Sequence, residues 1–169
     1  MVNRLNIQKK PESISGKDIR KLIERAYQTL IEKDGHLLKV NANERSITHR
    51  LAIHLESEFP GYDVDCEYNR DGFGSKKLKG YKKKIDSDDE NGTTVYPDII
   101  IHHRGRGKKC NFIVIEAKKI SNRDDSDKEK LAIYKKELLY EHAYYVKFLV
   151  DEDFKKYKCS PFEKFIEEM

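Results

Sequence analysis

Cysteine is scarce in this chain of 169 residues, and its sequence holds no long apolar run. The three cysteines, Cys66, Cys110 and Cys159, lie far apart and form no CxxC pair, which argues against a zinc site built on thiolates. Free thiols favour a reducing, cytoplasmic location. No stretch approaches the ~18 apolar residues of a membrane span. Residues 1–10 also lack an apolar run, so we expect neither a signal peptide nor a membrane partner.

Charge of one sign is not in large excess either. The 34 lysines and arginines outnumber the 30 acidic residues by only four, the pI is near 8.8, and the mean hydropathy is -0.84. This balance is a weak indication of an anionic partner. The length fits one domain with a real core. Residues 1–16 are polar and predict an N-terminal arm, which leaves residues 17–169 as a single domain.

Apolar periodicity predicts the elements of that domain. Helical spacing covers residues 17–33, which Gly35 should end, and residues 43–59, with Asn43 as the N-cap. The remaining segments predict strands over 62–69, 95–102, 111–118 and 143–150, a helix over 124–140, and a short C-terminal helix over 154–169. Residues 112–115 are apolar on both faces, as in a central strand. The order predicts an α/β fold with a mixed central sheet flanked by helices.

A basic insertion at about residues 70–94 interrupts this pattern. Glycines punctuate it and an acidic run follows, so it is predicted to be a mobile loop or an irregular hairpin. The alternative to nucleic-acid binding is a merely solvated loop. Its candidate phosphate-binding residues are Arg70, Lys76, Lys77, Lys79, Lys82, Lys83 and Lys84.

Two short motifs carry the chemistry. Pro97-Asp98 begins one strand, and Glu116-Ala117-Lys118 ends the next, so that the two carboxylates lie 18 positions apart. An antiparallel hairpin would bring Asp98 and Glu116 together at its open end, and Lys118 would share the face of Glu116. Two such carboxylates favour Mg²⁺ or Mn²⁺, with Lys118 beside a scissile phosphate or the attacking water. The alternative to a metal site is a structural salt bridge at a strand end.

This arrangement resembles the PD-(D/E)XK nuclease superfamily, whose element order matches residues 43–150. The resemblance implies a restriction-endonuclease-like core, metal ligation by Asp98 and Glu116, and a catalytic role for Lys118. The backbone carbonyl of Ala117 is expected as a further ligand. Members often add a carboxylate from the first core helix, for which Glu44 is the candidate; its alternative is a glutamate stabilised by the helix dipole.

Other candidates are weaker. Lys130 and Tyr134 match a polar-aromatic spacing of the superfamily, although glutamine usually stands where Lys130 does, and a core tyrosine beside a surface lysine is the favoured interpretation. No HExxH or HNH-type histidine set can be assembled. We therefore expect a metal-dependent endonuclease that acts on DNA, works as a homodimer, and serves restriction, phage defence or repair. The alternatives are an inactive nucleic-acid-binding or protein-interaction module with this fold, and an interaction protein with an accidental motif.

Overall fold

The computed structural model describes residues 14–71, 74–78, 93–120, 126–157 and 165–169. Most of the predicted arm, residues 1–13, lies outside these ranges. The α-helices within them are α1 (Gly16–Lys39), α2 (Glu44–Glu58), α3 (Ser126–Leu138) and α4 (Asp151–Tyr157). The strands are β1 (Asp63–Cys66), β2 (Arg70–Asp71), β3 (Gly74–Ser75), β4 (Lys77–Leu78), β5 (Thr93–Thr94), β6 (Ile99–His102), β7 (Asn111–Lys119), β8 (His142–Phe148) and β9 (Ile166–Glu168).

Five of these strands form the central sheet, in the order β1-β6-β7-β8-β9. β7 and β8 are parallel, and the other neighbouring pairs are antiparallel. The prediction of an α/β fold with a mixed sheet flanked by helices is confirmed. β2 pairs with β3, and β4 pairs with β5, so the described part of the basic insertion contains short antiparallel ladders.

β7 is the central strand because both of its faces are apolar. Its residues 111–117 are all buried, and alternate side chains enter two different cores. Ile113 and Ile115 pack in the core that contains the buried residues of α1 and α2. Val114 packs with Leu131 of α3 on the opposite face. The sheet therefore has a helix layer on each side.

Two local predictions were wrong. α1 continues through Gly35 to Lys39 because that glycine is used for packing: a Cβ there would lie 3.3 Å from the ring of Phe154 in α4. The chain end does not form the helix predicted over 154–169. α4 ends at Tyr157, residues 158–164 lie outside the described ranges, and β9 pairs with the edge of β8.

The second helix matches its prediction closely. α2 begins at Glu44, and the side chain of Asn43 accepts a hydrogen bond from the backbone N–H of Arg45, as an N-cap should. This cap fixes where α2 starts and therefore where Glu44 lies relative to the sheet. Among the described helices, none combines the length and apolar character that crossing a membrane requires.

Candidate active site

Asp98 and Glu116 stand opposite each other on neighbouring strands. Ile99 pairs with Ile115 in the antiparallel β6–β7 ladder, so the preceding Asp98 meets the following Glu116. Directly opposed side chains of an antiparallel pair share one face. Ile100 and Val114, each two residues from one of the carboxylates, pack in the core beneath α3. Both carboxylates therefore lie on the face of the sheet that α3 covers.

The backbone of Ala117, which lies between Glu116 and Lys118, holds Asp98 in place. The N–H of Ala117 donates a hydrogen bond to Asp98 Oδ2 at 2.8 Å. Burial raises the pKa of Asp98 above its ordinary value, and the Ala117 N–H only partly opposes this. The strand pairing therefore orients this carboxylate while the interior makes its charge costly.

Glu116 is the most deeply buried carboxylate of the cluster, with 1% of the residue exposed. Its Oε2 accepts a bond from Lys130 Nζ at 2.9 Å. Its Oε1 has no hydrogen-bond partner among the described residues. Burial and the neighbouring Asp98 carboxylate raise the pKa of Glu116 well above 4.5, although Lys130 opposes the shift. A buried oxygen without a donor is costly for folding alone and is suited to ligate a cation.

Lys118 joins the strand end to α2. Its Nζ lies 3.4 Å from Glu44 Oε1 and 3.4 Å from Asp127 Oδ2. The second oxygen of Glu44 accepts the backbone N–H of Lys119 at 3.0 Å, so Glu44 reaches the strand end from α2. Burial alone would lower the pKa of Lys118, but the carboxylates of Asp127, Glu44 and Asp98 outweigh it and raise that pKa. Lys118 is therefore an ammonium ion at neutral pH.

α3 supplies a side of the site for which the sequence offered only the weaker candidates Lys130 and Tyr134. Lys130 bridges Glu116 Oε2 and Asp127 Oδ1, at 2.9 and 3.2 Å. Only 16% of the Lys130 side chain is exposed, so the favoured interpretation of a surface lysine was wrong. Asp127 was missed altogether, although its spacing of three from Lys130 on a helix places both on one face.

Tyr134 completes the α3 side of the cluster. It is fully buried, and its hydroxyl has no hydrogen-bond partner in the part of the chain that the structure describes. Burial and the nearby Glu116 carboxylate raise its pKa, so the phenol stays protonated. A buried phenol that keeps its proton can donate a hydrogen bond toward Glu116 or toward a bound group.

The charges of this cluster suit one divalent cation. When ionised, the four carboxylates (Glu44, Asp98, Glu116 and Asp127) and the two ammonium groups (Lys118 and Lys130) leave two formal negative charges. The described residues contain no group of three or more acidic, histidine or cysteine side chains arranged to hold an ion unaided. Mg²⁺ needs no such cage, since it commonly uses one or two carboxylates with water and substrate phosphate. Asp98 and Glu116 are two such carboxylates, on opposed positions of neighbouring strands.

A cleft of about 760 Å³ opens above the cluster. Asp98, Lys118, Lys130 and Glu44 contribute to its wall, while Glu116 lies beneath it. The other lining residues are Arg45, Thr48, His49, Cys66, Glu67, Thr94, Val95 and Tyr96. Asp98, Lys118 and Glu44 therefore face a space large enough for a substrate, whereas Glu116 is buried and is not among the residues that line it.

The predicted phosphate-binding set is only partly described. Lys79, Lys82, Lys83 and Lys84 lie outside the described residues, and Arg70 is exposed. Lys76 cannot serve as predicted because it is 1% exposed. Its Nζ donates to the Tyr140 hydroxyl at 2.7 Å and lies 5.5 Å from the ring centroid of Tyr68. Lys76 is therefore a buried lysine that packs against tyrosine side chains, and it is not a surface contact for nucleic acid.

Comparison with protein-family models, with curated proteins and with solved structures finds no match to this chain. The function of the protein must therefore be inferred from the residues at the β6–β7 end and from their geometry. The resemblance to the PD-(D/E)XK superfamily stays a prediction from the two motifs.

Proposed function

We propose that this protein is a metal-dependent nuclease with a restriction-endonuclease-like core, and that Asp98 and Glu116 hold the metal. The observation that carries the proposal is the buried Glu116 oxygen without a donor, opposite Asp98 and two residues from Lys118. A structural salt-bridge cluster would be expected to satisfy every buried oxygen. Here the Tyr134 hydroxyl lies near Glu116 without forming a well-aligned hydrogen bond to it, which leaves an oxygen that a cation could use.

Each residue has a distinct role in the proposed reaction. Asp98 and Glu116, with the Ala117 carbonyl, would hold Mg²⁺ or Mn²⁺, which polarises a phosphodiester and makes water a better nucleophile at neutral pH. Lys118 presents a positive charge where negative charge develops on phosphate oxygen. Glu44 positions Lys118 through the 3.4 Å contact between Oε1 and Nζ. Lys130 compensates the buried charge of Glu116.

The substrate class and the biological setting belong to the same proposal. The mildly basic chain and the exposed Arg70 favour a nucleic acid, and DNA is the proposed substrate. Small stand-alone members of the superfamily that this chain resembles often work as dimers, so we infer that the protein works as a homodimer. A cytoplasmic role in restriction, phage defence or repair would fit such an activity.

The direct test is to incubate the protein with supercoiled plasmid or labelled oligonucleotides. Separate reactions contain Mg²⁺, Mn²⁺ or a chelator. We expect cleavage that requires the metal and disappears in Asp98→Asn. Asp65→Asn is the matched control, because it removes a carboxylate from the neighbouring strand β1 whose ion-pair partners are His102 and Arg104 and not the Asp98 cluster. Metal-dependent cleavage that persists in Asp98→Asn would refute the assignment.

The second candidate function is a binding module with the same fold and no catalysis. The specific observation in its favour is that Lys118 and Lys130 already contact the acidic groups and provide part of the compensating charge. A Mn²⁺ titration separates the two candidates. The nuclease requires Mn²⁺ affinity that depends on Asp98, whereas the module requires none.

A further inference from the structure

Tyr96 is an exposed aromatic residue in the wall of the cleft. It is 54% exposed, whereas its neighbours Val95 and Pro97 are buried. Single exposed apolar side chains are common and mean nothing alone. The position of Tyr96 is what matters: it lines the same cleft as Asp98 and is two residues from it, so their Cα atoms are at most about 7 Å apart.

Fixed charge in the cleft does not explain how it would hold a substrate. Arg45 is engaged by Glu67, with Nε and Oε1 3.0 Å apart. Among the lining residues that the structure describes, the formal charges of the ionised groups cancel, with Arg45, Lys118 and Lys130 against Glu44, Glu67 and Asp98. A phosphate chain therefore finds no excess positive charge here until a metal is bound. The affinity of the cleft for a nucleic acid must therefore come from contacts to a group other than phosphate.

The volume of the cleft limits the size of the ligand that it can enclose. A volume of about 760 Å³ falls within the range of pockets that enclose one drug-sized molecule. One or two nucleotides would fill a cleft of this volume. Stacking of a base on an aromatic ring contributes about 1–3 kcal/mol and needs a base face that is not covered by its neighbours.

We propose that Tyr96 is the stacking platform for an unpaired nucleobase beside the scissile phosphate, so that the substrate is a nucleic-acid strand with an unpaired nucleotide at the cut site. This inference rests on the proposed nuclease function and narrows its substrate. An intact duplex stacks its bases on each other and cannot present a face to Tyr96. Single strands, flaps and bulges can do so.

The test measures binding without metal, by fluorescence anisotropy in the presence of a chelator. The probes are a short single-stranded oligonucleotide, the same sequence as a blunt duplex, and a nucleoside monophosphate. Tyr96→Ala should weaken single-strand binding by about fivefold to about 150-fold, the range that corresponds to one lost stack. Tyr96→Phe should bind like the wild type, because the ring is kept. Leu139→Ala, at a residue that is also 54% exposed, is the control and should change nothing.

Three results would overturn the proposal. The first is a Tyr96→Ala protein that binds the single strand as tightly as the wild type. The second is an equal loss in Tyr96→Phe, which would assign the effect to the hydroxyl. The third is a monophosphate that binds as tightly as the strand, which would make a free nucleotide the ligand. These failures are separate from that of the nuclease, which fails if the wild type cleaves no nucleic acid with Mg²⁺ or Mn²⁺.

Discussion

Buried charged groups lie at both ends of β6, but the two environments shift the carboxylate pKa values in opposite directions. At the His102 end, Asp65 Oδ2 lies 2.8 Å from His102 Nε2, and Arg104 donates to both oxygens of Asp65 at 2.8 and 2.6 Å. Burial alone would raise the pKa of Asp65, but these two partners lower it well below 3.8. At the Asp98 end, burial raises the pKa of both Asp98 and Glu116, and Glu116 Oε1 lacks a donor among the described residues.

The difference separates a cluster that stabilises the fold from one that is prepared for a ligand. Partners that lower a carboxylate pKa contribute free energy to the folded state. A raised carboxylate pKa means that the ionised form costs free energy until another charge arrives. Strongly perturbed groups in a cleft are candidates for function, and here the cleft opens at the Asp98 end.

The largest effect expected from a variant that keeps both metal-binding carboxylates comes from Lys118→Met. This variant keeps most of the side-chain volume and removes the charge. Cleavage should fall by about a hundredfold or more, the scale on which one electrostatic stabiliser of the transition state acts. Mn²⁺ affinity should stay equal or become tighter, because a repelling charge is gone. Single-turnover cleavage and calorimetric titration measure the two quantities, and a wild-type cleavage rate would make Lys118 a mere structural cation.

The next effect sharpens the contrast from the other end of β6. Asp65→Asn should lower the free energy of unfolding by about 2–3 kcal/mol, because Arg104 and His102 lose a charged partner. Cleavage per folded molecule should not change. Asp98→Asn should show the reverse pattern, with little or no loss of stability and no cleavage. Urea denaturation followed by circular dichroism gives the stabilities, and an Asp98→Asn loss as large as that of Asp65→Asn would remove the contrast.

The pH dependence of stability should carry both signatures. The contribution of Asp65 is present above its ordinary pKa of 3.8 and is lost as the pH falls through its lowered folded-state pKa. The contribution of Glu116 has the opposite sign: it is present below 4.5 and is lost as the pH rises through its raised pKa. Without metal, the melting temperature should therefore decline as the pH rises from 4.5 through the raised pKa of Glu116, and Mn²⁺ should remove this decline. A profile that Mn²⁺ does not alter would contradict the assignment of Glu116.

The smallest expected effect is that of Glu44→Gln. The glutamine oxygen can still accept the N–H of Lys119, while the ion pair with Lys118 is lost, so unfolding should become easier by only about 1 kcal/mol. Cleavage should fall less than in Lys118→Met, because Lys118 keeps its contact with Asp127. Full activity in Glu44→Gln would show that Glu44 makes only a structural contact at the start of α2.

Local pattern was enough to predict the elements that hold Asp98, Glu116 and Lys118, because strand alternation and strand pairing follow from nearby residues. The partners of these groups were harder to find. Asp127 and Lys130 come from a helix whose polar positions resemble a solvated face until the sheet is placed against it. β9 was missed because a three-residue edge strand depends on the free edge of β8 and not on its own periodicity.

Calorimetric titration of Mn²⁺ tests the central claim most directly. It should be carried out on the wild type, Asp98→Asn and Asp65→Asn at one pH near neutrality. We predict one Mn²⁺ bound by the wild type, a similar affinity in folded Asp65→Asn, and an affinity at least about tenfold weaker in Asp98→Asn, since even outer residues of metal sites change affinity by about 10–100-fold. A wild type that binds no Mn²⁺, or an Asp98→Asn protein that binds it equally well, would contradict the account.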